Sequence, residues 1–367
     1  EELTDEVGHF QFTHALVQET LTGELSSTRK VRLHARIAEM LESLYGDQAD
    51  AHASELVPHL VEAEVMIGSE RLVHYSVVAG EQALALSAPY AALEHFERAL
   101  ESDDTREIDD AKARLFLGLG RAQTNFAFDG VLGQEAFDSL AKAFDHYSAV
   151  GDVEAMSAIA LEPLHRRPVL GATDLLTKAL HRSGSDSAAA GIISARLVSK
   201  FLRDIDKPKT PPDFVGAEKA LEHAFTIARR FDDTRVEIEA LAADFFVNLA
   251  RLTQADLIKG LDSLERALEL LRTHPDPRNE GLMNGWHAHA SGRLGRVEEA
   301  LHFASAGFEI GLKVGFVTPI QLSSSAAVTI LRAAGRWDDA EELTKRMEDA
   351  NPASSVFAEE WRIAAQS

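Results

Sequence analysis

Seven times along this chain, a small residue is followed four positions later by an apolar one and three positions after that by a second small residue. The copies are Ala92, Phe96, Ala99; Ala136, Leu140, Ala143; Ala172, Leu176, Ala179; and Ala217, Leu221, Ala224. They continue at Gly260, Leu264, Ala267; at Ala300, Ala304, Gly307; and, degraded, at Ala340, Thr344, Met347. Their first members step by 44, 36, 45, 43, 40 and 40 residues. On a helix, positions i, i+4 and i+7 lie on one face. Small residues at the ends of that stripe admit a neighbouring helix, and the apolar residue fills the space between. A fixed period of this length marks a stacked repeat architecture. The pattern predicts an all-α chain wound into a helical superhelix, a surface type that binds or couples more often than it catalyses.

The apolar spacing predicts paired helices. Residues 13–24 read as one helix, and Ser26, Ser27 and Thr28 offer caps for the next, whose stripe is His34, Ile37, Ala38, Leu41 and Leu44. Residues 53–66 make a third, ended by Gly68. Pairs then follow at 70–86 with 88–101, 106–123 with 133–148, 152–164 with 171–182, and 187–204 with 214–230. The clearest are 234–252 with 256–272, 281–293 with 297–311, and 319–333 with 337–348. The last two share a turn, Gly295-Arg296-Val297-Glu298-Glu299 and Gly335-Arg336-Trp337-Asp338-Asp339. Gly supplies a left-handed residue, and the acids favour the first turn of the helix that follows. Two loops stand apart. Residues 183–187 are small and polar, and Lys207-Pro208-Lys209-Thr210-Pro211-Pro212 is a rigid basic spacer that reads as an inter-repeat linker or a docking strip.

Composition narrows the function. The chain has 367 residues, and 37 Lys plus Arg stand against 59 Asp plus Glu, a net charge of −22 that repels phosphate backbones. Direct nucleic-acid binding by this segment is not expected. Cysteine is absent, which excludes disulfides, thiolate metal sites and cysteine nucleophiles and suits a cytoplasmic location. No apolar run reaches the ~18 residues of a membrane span. The acidic start, Glu1-Glu2-Leu3-Thr4-Asp5-Glu6, is unlike a secretory signal, and without an initiator Met the chain reads as part of a longer protein.

The triplets resemble the second helix of the tetratricopeptide repeat, with a period longer than its usual ~34 residues. The arrangement looks more like the superhelical sensor domain of the MalT and LuxR-type large ATP-binding regulators. The N-terminus sharpens this. Phe10-Gln11-Phe12-Thr13-His14-Ala15-Leu16 is followed by Arg32-Leu33-His34-Ala35-Arg36-Ile37-Ala38-Glu39-Met40-Leu41-Glu42. The two blocks resemble the end of the winged-helix segment, and the helix after it, in signal-transducing ATPases of the STAND class. The resemblance implies a right-handed superhelix of tetratricopeptide-like helix pairs over residues 46–367, preceded at 1–45 by the winged-helix end and a linking helix. It implies an ATPase module acting in cis, and a LuxR-type DNA-binding or adenylate-cyclase output. It also implies that His14 contacts nucleotide phosphates held by the missing module; a polar cap at a strand-to-helix junction is the other reading of His14.

No catalytic constellation emerges, so the chain is not expected to be an enzyme. There is no Gly-x-x-x-x-Gly-Lys-Ser/Thr loop to cradle a triphosphate and no Gly-x-Ser-x-Gly elbow. Gly118-Leu119-Gly120 has Gln123 where a dinucleotide fingerprint needs a third glycine. His287 and His289 point about 200° apart on a helix and cannot easily share one ion, and no nearby run of acids completes a site. His59, Glu62 and Glu64 read as a solvated face. The pairs Asp103-Asp104, Asp109-Asp110, Asp232-Asp233 and Asp338-Asp339 read as caps. No metal and no cofactor are expected. The remaining candidates line the groove formed by the first helix of each pair: Phe245, Asn248, Trp286, His289, Arg293 and Arg332. An aromatic with hydrogen-bond donors suits an acidic small molecule or a peptide. Two functions compete. One is a sensor and coupling region that binds an inducer or partner protein; the other is a free-standing scaffold for protein assembly. The block from Phe10 to Glu42 favours the first.

Overall fold

A computed structural model describes residues 25–105, 107–125, 130–162, 169–203 and 210–350. The block from Phe10 to Leu21, including His14, and the basic residues Lys207 and Lys209 lie outside them. The chain divides into two compact units, residues 1–86 with 90–107, and residues 87–89 with 108–367. Among the described residues every regular element is helical, and no helix is long and apolar enough to cross a membrane.

The first unit holds α1 (Ser27–Tyr45), a 3-10 segment (Gly46–His52), α2 (Ala53–Ile67), α3 (Glu70–Ala85) and α4 (Pro89–Ser102). Ser26 caps α1 by accepting from the Arg29 N–H. Ala38 of α1 packs with Leu56 and Leu60 of α2 and Leu72 of α3. Lys30 pairs with Glu62 at 2.7 Å, and Arg71 grips Glu42 with both Nε and Nη2.

The second unit holds α5 (Asp110–Thr124), α6 (Gly130–Val150), α7 (Val153–Ala160), α8 (Ala172–Ser183), α9 (Ala188–Leu202) and α10 (Phe214–Phe231). It continues with α11 (Thr234–Arg251), α12 (Gln254–Thr273), α13 (Pro277–Arg293), α14 (Val297–Val314), α15 (Val317–Ala333) and α16 (Trp337–Ala350). Consecutive helices pack as pairs, and first helices also pack on one another, α9 on α11 and α13 on α15. This is the tetratricopeptide-like solenoid that the spacing predicted.

All seven triplets fall on the second helix of a pair. Ala92, Phe96, Ala99, Ala136, Leu140, Ala143, Ala172, Leu176 and Ala179 are each 0% exposed. The middle residue needs space on the first helix, and glycine provides it. A Cβ at Gly80 would stand 2.7 Å from the Phe96 ring, and one at Gly120 would stand 2.7 Å from Leu140. Two of the four acid pairs cap helices: Asp109 accepts from the Lys112 N–H and Asp233 from those of Arg235 and Val236, while Asp338 and Asp339 lie in the first turn of α16 and Asp103 accepts from the Thr105 N–H past the end of α4. Gly295 and Gly335 both take φ +75°.

Two starts differ most from the reading of the sequence. α13 begins four residues early because Asp276 caps it and Pro277 occupies the first turn. α5 begins at Asp110 rather than 106, since Asp109 is its cap. In this unit the stack curls back on itself. The Asn125 side chain accepts from Arg278 Nη2 at 3.1 Å, and its carbonyl accepts from the Val317 N–H at 3.3 Å. The end of α5 thereby meets the starts of α13 and α15.

Candidate functional site

α13 has three faces occupied by protein. Ser291 and His287 meet α14; Met283 and Ala290 join a cluster with Phe245 and Leu264; Gly285 and Gly292 abut Leu322 and Ile330 of α15. The remaining stripe, opposite α14, is Trp286, His289 and Arg293 at i, i+3 and i+7. Trp286 is half-buried, and His289 and Arg293 are exposed. On α15 the corresponding stripe is Leu322, Ser325, Thr329 and Arg332, turned away from Ser323 and Ala327 of the packed side. His289 Nε2 lies 3.2 Å from Ser325 Oγ and joins the two stripes. Desolvation by the adjoining helix lowers the His289 pKa, opposed by a hydrogen bond to the Leu322 backbone. No ion pair or side-chain hydrogen bond ties Arg293 or Arg332 to another residue among the described ones.

By helix phase, Trp286, His289 and Arg293 share a stripe of α13, and Arg332 continues the stripe of α15 that His289 meets at Ser325. The other two candidates do not offer a surface. Phe245 is 2% exposed and stacks toward Trp286 with centroids 6.3 Å apart, and Asn248 is 5% exposed and donates to the Asp244 carbonyl and carboxylate. Both are packing residues. One position along a helix turns a side chain by about 100°, and the aromatic on the groove side is Phe246, half-buried and edge-on to Trp286 at 4.9 Å.

The sequence also hid a buried charge network. α9 is apolar nearly all round, yet Arg196 and Lys200 lie within it at 6% and 5% exposure. Arg196 donates to the carbonyls of Ala160 and Glu162 at 2.9 and 2.7 Å and pairs with Glu239 of α11 at 3.3 Å. The last carbonyls of α7 have no partner within their own helix, so the guanidinium acts as their cap. Arg121 of α5 holds the Glu162 carboxylate at 2.7 Å. A helix without a polar face is buried on every side, and any charge on it must find a partner; that was the available signal.

His287 and His289 diverge as the helix geometry requires. His287 is wholly buried against α14, its ring stacked on Phe303 at 3.5 Å. Among the described residues, Glu265, His287 and Glu299 bring ligand atoms within 4.8 Å of one another.

No protein-family model matches the chain, and no curated protein matches it. Among solved structures it is similar to a Signal Transduction ATPase with Numerous Domains (STAND) protein with a tetratricopeptide repeat sensor from Pyrococcus horikoshii. The identity is 13% and the TM-score 0.49, with 98% of this chain and 55% of that chain covered. This chain thus spans about half of that protein's length. Likeness at this level leaves the functional reading to the residues themselves.

Proposed function

We propose that this chain is the sensor and coupling region of a STAND-type regulator. It takes an inducer or partner protein on the stripe of α13 and α15 and passes the occupancy to an ATPase module in cis. What supports the reading is that Trp286, His289, Arg293 and Arg332 hold exposed or half-buried positions on the adjoining stripes of α13 and α15, with both guanidinium groups unclaimed by the described residues. Trp and Arg dominate binding energy at interfaces. Two arginines in a chain of net charge −22 draw an anionic group against the overall field. The block from Phe10 to Glu42, with its resemblance to a winged-helix end, supports the link to an ATPase; the output is a DNA-binding or cyclase module elsewhere in the protein. The segment itself performs no catalysis and contacts no nucleic acid.

The test is a thermal-shift panel of carboxylate- and phosphate-bearing metabolites and short acidic peptides. It compares the wild-type chain with the double variant Arg293→Ala/Arg332→Ala. A ligand that stabilises the first and not the second supports the proposal. Stabilisation that survives in the variant moves the binding surface elsewhere, with the basic strip at 207–212 the next place to look.

A further inference from the structure

The surroundings of His287 define a second site, on the opposite face of α13 from the stripe. The Ser291 hydroxyl donates to Glu299 Oε1 at 2.8 Å. Its single proton is then committed, so the 3.1 Å contact with His287 Nδ1 is a hydrogen bond donated by the imidazole. That assigns the tautomer: in the neutral ring, Nε2 carries the lone pair. Nε2 faces Glu265 Oε1 at 3.5 Å, and Glu299, held through Ser291, has a carboxylate oxygen within 4.8 Å of a His287 ring nitrogen and of a Glu265 oxygen. A lone pair set against one carboxylate, with a second within 4.8 Å, calls for positive charge among them. Arg296 reaches Glu299 at 3.4 Å, and no contact links it to the other two groups.

We propose that His287, Glu265 and Glu299 form a binding site for a divalent first-row transition cation of the zinc type. One imidazole with two carboxylates suits such an ion, whereas calcium and magnesium prefer all-oxygen shells. Around a tetrahedral ion with bonds of about 2.0–2.2 Å, ligand atoms lie roughly 3.3–3.5 Å apart. The Nε2 to Oε1 separation already matches this, and Glu299, whose Oε1 is held by Ser291, would offer its other carboxylate oxygen to the ion. The relay from Nδ1 through Ser291 to Glu299 orients the imidazole, the outer-shell hydrogen bond that ligating histidines usually make. Exposed Glu265 leaves an entry path, and water completes the coordination. An ion held there would clasp α12, α13 and α14, fixing one repeat to the next directly behind the stripe.

The experiment titrates chelator-treated chain with zinc chloride by calorimetry and follows thermal melting, with magnesium chloride as control. Wild type is expected to bind one tight equivalent of zinc, with a raised melting midpoint and no response to magnesium. Glu265→Gln and Glu299→Gln, both on accessible side chains, should each weaken that equivalent at least about tenfold without changing the circular dichroism spectrum. The proposal is overturned if both variants titrate as wild type does, which would place the zinc on other surface groups. It is equally overturned if zinc leaves the melting of the wild type unchanged. A site that ignores zinc while Glu265→Gln alters the pH dependence of melting would hold a proton instead.

Discussion

Gly307→Ala is the sharpest test of how these helices pack. Gly307 closes the sixth triplet and lies where α14 crosses α13. An added Cβ would collide with Ser323 Oγ and would stand 3.0 Å from the Gly281 carbonyl oxygen and 3.2 Å from Asn284 Cβ. The serine can rotate away; the backbone oxygen cannot. Overpacking of this kind costs about 1–3 kcal/mol. Alanine returns about 1 kcal/mol in helix propensity, so the net loss should be about 0–2 kcal/mol. Gly260→Ala is the control, because its nearest contacts, at 3.1–3.4 Å, are looser, and propensity should nearly offset them. The Ser323 hydroxyl is buried with no hydrogen-bond partner among the described residues, so Ser323→Ala should be neutral or stabilising by up to about 1 kcal/mol. In the double variant, part of the Gly307→Ala loss should be recovered, a coupling of about 1 kcal/mol. Repeat stacks need not unfold as one unit, so urea melting should be paired with hydrogen exchange of α13 to α15. If Gly307→Ala stabilises these helices by the full propensity gain, they do not approach closely there and the meaning given to the triplets is wrong.

Ala300, 0% exposed among Ala288, Ala304 and Ile330, should lose roughly 1–3 kcal/mol on Ala300→Leu, measured in the same way; a silent substitution would reduce the small residues to helix formers. Glu239→Ala removes the carboxylate that the buried Arg196 meets at 3.3 Å and should cost about 3–5 kcal/mol, read by urea denaturation. In the first unit, His59 touches His34 through their Nδ1 atoms at 3.0 Å, and desolvation followed by the His34 charge lowers the His59 pKa; burial likewise lowers that of His95. The unfolded state therefore binds these protons first. The stability of α2 and α4 should be full above the unfolded value of about 6.5, fall as pH drops below it, and level off once the folded rings also protonate. Hydrogen exchange from pH 7.5 to 5 checks this, and the slope over α2 should shrink in His59→Gln. Finally, the chain alone should neither turn over ATP nor retain duplex DNA at physiological ionic strength, as a phosphate-release assay and a filter-binding assay would show.

The period carried most of the fold. Each triplet lands on a second helix because tight interhelical contact admits only small residues at its ends, and that demand is written locally. Turns were equally legible, since Gly295 and Gly335 each need a left-handed residue. The site was legible only in part. Trp286, His289 and Arg293 share a stripe by spacing alone, but choosing Phe245 over Phe246 needed the helix rotation that tertiary packing sets. The partners of His287 lie on two other helices, Glu265 on α12 and Glu299 on α14, and no pattern in the residues flanking a histidine can report them. The buried pair of Arg196 and Glu239 was hidden for the same reason.

The central claim is that the stripe of α13 and α15 senses a ligand and sets an ATPase switch. Its most direct test uses the full-length gene product. Nucleotide turnover is measured with and without a small-molecule extract of the source cells, for wild type and for the double variant Arg293→Ala/Arg332→Ala. The account predicts that turnover of the wild type changes several-fold with the extract, while the variant keeps its basal rate and its melting temperature and does not respond. A wild type indifferent to the extract, or a variant that responds as the wild type does, would contradict it.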